Sequence, residues 1–174
     1  MKLSVLALTL IPSIAFSQSQ ATTVHEHGTG HVVIAMAGAE FSLSLVVPGV
    51  DIVGFEGPAE TDDDRARVAV AISDLSNPLE LFVLPEAAGC FAASANVTLS
   101  GETLGQDVDA AQEVNHTEFQ ADYQIQCQDI DALDGIEFAY FDRFPKAKRL
   151  KIQVSRSGDA RSQEVTSDQR NLAF

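Results

Sequence analysis

Three of the four histidines of this chain lie within the seven-residue stretch HEHGTGH, from His25 to His31. Imidazole nitrogen is a common zinc ligand, and zinc takes three or four such ligands in a tetrahedron with bonds of about 2.0 Å. If the stretch is extended, His25, His27 and His31 project to one side. Gly28 and Gly30 would let the backbone bend the third imidazole toward the other two. The residue types and their spacing therefore predict a metal site.

A further ligand has to come from a distant part of the chain, and His116 is the one remaining histidine. It begins the polar face of a predicted strand beside Glu118, whose carboxylate could bind the metal or orient an imidazole. We therefore predict a zinc site that draws on His25, His27, His31, His116 and Glu118. Because a protonated imidazole cannot bind a metal, zinc should leave as the pH falls through about 6.5.

Other interpretations of these polar residues compete with the zinc site. The histidines could belong to a solvated N-terminal tail. The acidic stretches ETDDDR (60–65) and GQDVDAAQE (105–113) could bind calcium, although they lack the EF-hand spacing and are more typical of a helix start and an exposed loop. The sequence argues against a cupin, a copper(I) site and a serine hydrolase. It has no glutamate a few residues after His27, too few methionines and no G-x-S-x-G motif.

The first residues, MKLSVLALTLIPSIAFSQSQA, run from one lysine through an apolar stretch to small polar residues, as a secretory signal peptide does. The apolar run is too short, and too interrupted by Pro12 and Ser13, to make a good membrane-spanning helix. We expect a signal peptide at 1–17 and one exported domain at 18–174. The net charge of −14 disfavours nucleic acid and anionic membrane surfaces as partners and attracts metal cations.

The two cysteines, Cys90 and Cys127, are expected to form one disulfide in an oxidising compartment. A thiolate metal site is the alternative, but the chain lacks the C-x-x-C pairs that are typical of zinc sites.

Hydrophobic periodicity predicts a β-rich fold. HVVIAMAG and AEFSLSLVVPGV are typical of a hairpin that turns at Gly38 and Ala39, and HTEFQADYQIQC alternates as a half-buried strand. Thr61 with Asp64 resembles a capping box, which predicts a helix from about Asp62 to Leu75. The segment ETLGQDVDAAQEV (102–114) is expected to be an exposed loop. We therefore expect an α+β fold: a β-rich, sandwich-like single domain of antiparallel strands with one clear helix.

Five segments occur in the order found in a known family: HEHGTGHVVIAMAG, VDIVGFEGPAETDDDRARV, LFVLPEAAGC, HTEFQADYQIQC and FDRFPKAKRLKIQV. Together they resemble the ZrgA-like periplasmic zinc-uptake proteins of Gram-negative bacteria over nearly the whole chain after residue 17. The resemblance implies a periplasmic protein that binds zinc and assists its import, working with an ATP-driven importer or its binding protein. It supports His25, His27, His31 and His116 as ligands, and the pairing of Cys90 with Cys127.

The chain departs from this family pattern in two places. Relatives often carry a long histidine-rich loop where this chain has the acidic segment 102–114, and they often have histidines at positions corresponding to Gly57, Gln120 or Asp122. The resemblance therefore implies weaker and less zinc-selective binding, with one ordered site in place of a high-capacity loop.

The sequence thus predicts an exported, non-enzymatic zinc-binding protein. Two other classes stay open. A zinc-dependent hydrolase would use the three histidines to hold the metal and Glu26 or Glu118 as a base. An exported structural or interaction module would carry the histidines in a tail without a metal-binding role.

Overall fold

The computed structural model describes residues 26–101, 116–156 and 158–174. The expected signal peptide, His25 and the expected loop at 102–114 lie outside these residues. Among the helices that are described, none is long and apolar enough to cross a membrane.

The predicted hairpin is formed by β1 (Thr29–Ala37) and β2 (Glu40–Pro48), which pair antiparallel. Gly38 and Ala39 make the turn, and Gly38 takes the positive φ of 61° that glycine adopts without steric cost. The alternation expected from the sequence is confirmed, because every second side chain of the hairpin is buried in the core: Val32, Ile34, Phe41, Leu43, Leu45 and Val47.

A six-stranded sheet is built around this hairpin in the order β4-β5-β2-β1-β7-β8. Its other strands are β4 (Cys90–Ser100), β5 (Glu118–Cys127), β7 (Arg149–Arg156) and β8 (Asp159–Thr166). Neighbouring strands run antiparallel, as expected, except for β1 and β7, which run parallel and make the sheet mixed. This one parallel pair joins the beginning of the described chain to a strand near its end.

A second layer covers the buried face of the sheet. In the described part of the chain, it contains the three-stranded sheet β3-β6-β9 and four helices. Its strands are β3 (Phe82–Val83), β6 (Gly135–Phe138) and β9 (Asn171–Ala173). The helices are α1 (Gly49–Ile52), α2 (Asp62–Leu75), α3 (Pro78–Leu81) and α4 (Tyr140–Arg143).

Aromatic side chains hold the two layers together. The ring of Phe82 lies 5.9 Å from that of Tyr123, centroid to centroid, and the Tyr123 hydroxyl donates a 2.7 Å hydrogen bond to the carbonyl of Leu75. Burial of Tyr123 raises its pKa well above the ordinary value, so this hydroxyl keeps its proton and stays a donor. The β-rich α+β class with a sandwich-like core is confirmed.

Helix α2 begins where the capping box predicts. The Thr61 hydroxyl accepts a 3.1 Å hydrogen bond from the Asp64 amide, and the Asp64 carboxylate accepts a 3.2 Å hydrogen bond from the Thr61 amide. The amides at the start of a helix have no hydrogen-bond partner within the helix, and these two reciprocal bonds satisfy two of them. The predicted bounds, Asp62 to Leu75, are confirmed.

Cys90 and Cys127 form the expected disulfide, and no free cysteine is present among the described residues. The two cysteines face each other in the pairing of β4 with β5. The bond closes a loop with a sequence separation of 37, which is worth roughly 4 kcal/mol in the chain-entropy model. The cysteines therefore serve the fold, and the thiolate alternative is wrong.

Candidate metal centre

Two histidines and one glutamate converge at one end of the six-stranded sheet. His27, Glu56 and His116 place one potential ligand atom each within 4.8 Å of one another. Nε2 of His27 lies 2.5 Å from one carboxylate oxygen of Glu56, and Nδ1 of His116 lies 3.1 Å from the other. The centroids of the two imidazole rings are 6.5 Å apart, and the carboxylate of Glu56 contacts both rings. We call these three residues the metal centre.

Sheet topology brings the three side chains together. The start of β1, the end of β2 and the start of β5 lie at the same end of the sheet, because β2 pairs antiparallel with both neighbours. His27 precedes β1 by two residues and His116 precedes β5 by two residues. Glu56 follows β2 after the short helix α1. The three potential ligands therefore come from three segments that are distant in sequence.

The turn that carries His27 is fixed by hydrogen bonds. His27 and Gly28 form a turn in which the Thr29 amide donates to the carbonyl of Glu26, and Gly28 has a φ of 79°. The Gly28 amide donates to both carboxylate oxygens of Asp51, at 2.9 and 2.8 Å. His27 thus sits on a rigid turn and not on a loose tail.

Glu56 lies on a short loop between two glycines. Gly54 and Gly57 both take positive φ values, 90° and 81°. A Cβ on Gly54 would lie 2.5 Å from the Lys146 ammonium, which could move away, so it is the positive φ that favours glycine there. These glycines let the chain turn sharply on both sides of Glu56 and aim its carboxylate at the histidines.

The residues present fit a zinc ion. Two imidazoles and one carboxylate are the donor types that zinc prefers, and three protein ligands leave one position open. In a tetrahedral site with bonds of about 2.0 Å, neighbouring ligand atoms lie about 3.3 Å apart. The separations in the structure, 2.5 Å for His27 with Glu56 and 3.1 Å for His116 with Glu56, lie on the scale of this spacing.

Glu56 supplies a second sign of a cation site. Its Oε1 is buried, and no described group other than the facing Nε2 of His27 is placed to satisfy it. A buried carboxylate oxygen needs such a partner. Because this oxygen lies beside the Nε2 of His27, a proton on the ring or a shared metal ion would stabilise it.

The electrostatic surroundings of the metal centre include a buried carboxyl group and a lysine. Asp51 is only 5% exposed, and burial raises the pKa of its carboxyl. The Gly28 amide, His27 and Lys146 act in the opposite direction on that pKa, and Glu56 raises it further. A buried acidic group therefore lies close enough to His27, Lys146 and Glu56 to interact with their charges.

The structure assembles part of the predicted ligand set. His27 and His116 come together. His31 lies on β1, and its side chain is on the outer face of the sheet, opposite to the buried side chain of Val32. The alternation begins only at Thr29, because the turn at Gly28 interrupts the extended segment. Glu118 begins β5 and is not among the three converging ligand atoms. His25 lies outside the described residues, two positions before His27.

Sequence reasoning missed Glu56. Its sequence signal was weak: one acidic residue in GFEGP, flanked by the glycines that allow a tight loop. The predicted ligands were chosen for their spacing along the chain, whereas Glu56 meets the histidines only through the tertiary fold.

The acidic stretch at 60–65 is occupied by the start of α2. Asp62 contacts Arg65, Asp63 contacts Arg67, and Asp64 caps the helix. These contacts account for the acidic side chains without a calcium ion. The second acidic stretch, 105–113, lies outside the described residues.

Comparisons with known proteins place the chain in a family. A search of curated proteins finds no significant match. The model of the ZrgA family zinc uptake protein matches residues 24–174, which include all three ligands of the metal centre and both cysteines. This match covers most of the chain, and the protein therefore belongs to the ZrgA family of zinc uptake proteins.

Proposed function

We propose that this protein binds zinc at the metal centre in the periplasm and assists zinc acquisition without catalysing a reaction. Zinc is the cargo in this proposal. His27, Glu56 and His116 would hold it, and His25 is close enough in sequence to His27 to supply a fourth ligand. His31 and Glu118 stay predictions as further ligands.

The observation that carries the proposal is the Glu56 carboxylate between two imidazoles: its buried Oε1 faces Nε2 of His27, and its Oε2 faces Nδ1 of His116. Glu56 is 27% exposed at its side chain, while His27 and His116 are 61% and 40% exposed. A partly exposed site exchanges its metal with the solvent more readily than a closed structural site does. Exchange is what a protein that collects and passes on zinc requires.

The proposed location and partners rest on the same family membership. The disulfide and the family fit an exported protein. We propose that residues 1–17 are removed as a signal peptide and that residues 18–174 act as one zinc-binding domain. The partner would be an ATP-driven zinc importer or its binding protein, and the acidic surface argues against nucleic acid.

The proposal is tested by isothermal titration of the metal-free protein, residues 18–174, with zinc. The variants are His27→Ala and His116→Ala, and His31→Ala decides whether the histidine on β1 is a further ligand. We expect one site in the wild type and loss of that site in both His27→Ala and His116→Ala; weaker binding in His31→Ala would add His31 to the ligands, and unchanged binding would remove it.

Other results would redirect the proposal. If His116→Ala binds like the wild type, the start of β5 is not part of the site and the segment around His27 chelates zinc alone. If the wild type does not bind zinc, the proposed function is wrong. A zinc-dependent hydrolysis activity that disappears in Glu26→Gln or Glu118→Gln would instead favour the hydrolase.

A further inference from the structure

We propose that the short helix α1 sets the geometry of the metal centre and that Asp51 is its principal positioning residue. Asp51 would hold His27 in place and balance charge without binding the metal. This inference rests on the zinc-binding function proposed above and adds a residue to it.

The first step concerns the backbone of His27. The Gly28 amide belongs to the planar peptide group that starts at the Cα of His27. Asp51 accepts from this amide with both carboxylate oxygens, at 2.9 and 2.8 Å. On the other side, the Gly28 carbonyl accepts from the amides of Lys148 and Arg149, at 2.8 and 2.9 Å. The direction in which the His27 side chain leaves the turn is thereby fixed.

The second step concerns His116. The Gly49 amide, at the start of α1, donates a 2.7 Å hydrogen bond to the carbonyl of Thr117, the residue after His116. The two segments approach so closely that a Cβ on Gly49 would lie 2.1 Å from the Thr117 hydroxyl oxygen. One end of α1 therefore fixes the His116 segment, while Asp51 fixes the His27 turn.

The third step concerns Glu56, which follows α1 by four residues. The same helix thus contacts the segments of two ligands and leads directly into the third. No other described helix or strand carries contacts next to both histidines and also leads directly into the Glu56 loop. We infer that α1 determines how far apart the three ligand atoms stand.

The fourth step explains why the residue is an aspartate. A neutral acceptor would satisfy the Gly28 amide, yet a carboxylate is buried here at 5% exposure, which is costly. Two neutral imidazoles and one carboxylate leave a bound dication with one uncompensated positive charge. The Asp51 carboxylate, held by the Gly28 amide, would add negative charge close to His27 and Glu56, where screening by water is weak.

The test compares zinc affinity in Asp51→Asn, Asp51→Ala and Asp131→Asn. Asp131 is a matched control, because it loses the same charge from a side chain that is 94% exposed. Substitution of residues that orient a metal ligand typically costs 10–100-fold in affinity. We expect about tenfold weaker binding in Asp51→Asn, which keeps one acceptor, and up to about 100-fold in Asp51→Ala. Asp131→Asn should bind as the wild type does.

A second readout separates positioning from general loss of structure. Cobalt(II) replaces zinc and reports ligand geometry through its visible absorption. The spectrum of the cobalt-loaded protein should change in the Asp51 variants and stay unchanged in Asp131→Asn, while circular dichroism shows that the metal-free variants are folded.

The possible outcomes distinguish this inference from the proposed function. If the wild type binds zinc and Asp51→Asn binds it equally well with an unchanged cobalt spectrum, the role of Asp51 is overturned and the proposed function stands. Asp51→Asn decides the question if Asp51→Ala does not fold. If the wild type does not bind zinc, both proposals fail.

Discussion

The start of α2 has three carboxylates and the metal centre has one, and the surroundings of these groups differ. At α2 the acidic side chains are exposed and find partners within four residues along the chain: Asp62 with Arg65, Asp63 with Arg67 and Asp64 with Thr61. At the metal centre, Glu56 is partly buried and its neighbours come from distant segments. A run of acidic residues in the sequence therefore does not by itself indicate a cation site, whereas a carboxylate that the fold places against two imidazoles makes a candidate for one.

The comparison predicts its largest effect for loss of the Glu56 carboxylate. Substitution of residues around a ligand already costs about 10–100-fold in metal affinity, so Glu56→Gln should weaken zinc binding by at least about 100-fold. Asp63→Asn removes an equal charge from α2 and should leave zinc affinity unchanged. Titration calorimetry of both variants measures this difference. Equal effects of the two substitutions would mean that only net charge matters.

Loss of the α2 cap should lower the free energy of unfolding and leave zinc affinity unchanged, which is the opposite of the pattern expected at the metal centre. Thr61→Ala removes the hydroxyl that accepts from the Asp64 amide, and loss of such a cap costs about 1 kcal/mol in the free energy of unfolding. Zinc affinity should not change, because α2 contributes no ligand. Urea denaturation of the metal-free protein, with Ser76→Ala at the other end of α2 as a comparison, measures the loss. A weaker zinc site in Thr61→Ala would show that the two regions are coupled.

The smallest of the expected effects is on stability at acidic pH. The α2 cap and the metal centre should respond to acid in different pH ranges. Hydrogen bonds from the Thr61 side chain and amide lower the pKa of Asp64. The stability that the ionised Asp64 contributes is therefore present above the unfolded-state pKa of about 3.9, and it is lost as the pH falls through the lower folded-state value. Zinc should already leave at a milder acidity, where this cap is intact, because protonated imidazoles cannot bind a metal.

Thermal unfolding of metal-free wild type and Asp64→Asn between pH 7 and pH 2.5 tests the prediction. The difference between them should shrink at the acidic end. A difference that does not depend on pH would contradict the role assigned to the Asp64 carboxylate.

The elements that could be predicted are those with local signals. The Thr61 capping box marks the start of α2, and the alternation of polar and apolar residues marks β2 and β5. These features depend on contacts between near neighbours in the chain, so the sequence carries them directly. No local sequence pattern predicts the parallel pairing of β1 with β7, because this pairing depends on which distant strands meet.

The candidate site shows the same division. Residue type predicts His27 and His116 as ligands. Glu56 looks like any surface glutamate in the sequence, and only α1 and the turns at Gly54 and Gly57 place it beside the histidines. His31 fits the spacing of a ligand, yet its place within β1 puts it on the outer face of the sheet. Spacing along the chain predicts a ligand only where the backbone conformation is known.

The parallel pairing of β1 with β7 has a consequence for folding order. The turn of His27 depends on amides at Lys148 and Arg149, and Thr29 is paired with Arg149. Because the chain is synthesised from its N-terminus, its first histidines are made long before the strand β7 that supports them. Such long-range contacts form late and slowly. We expect the metal centre to mature only after nearly the whole chain has been released, so partly made chains would hold zinc poorly.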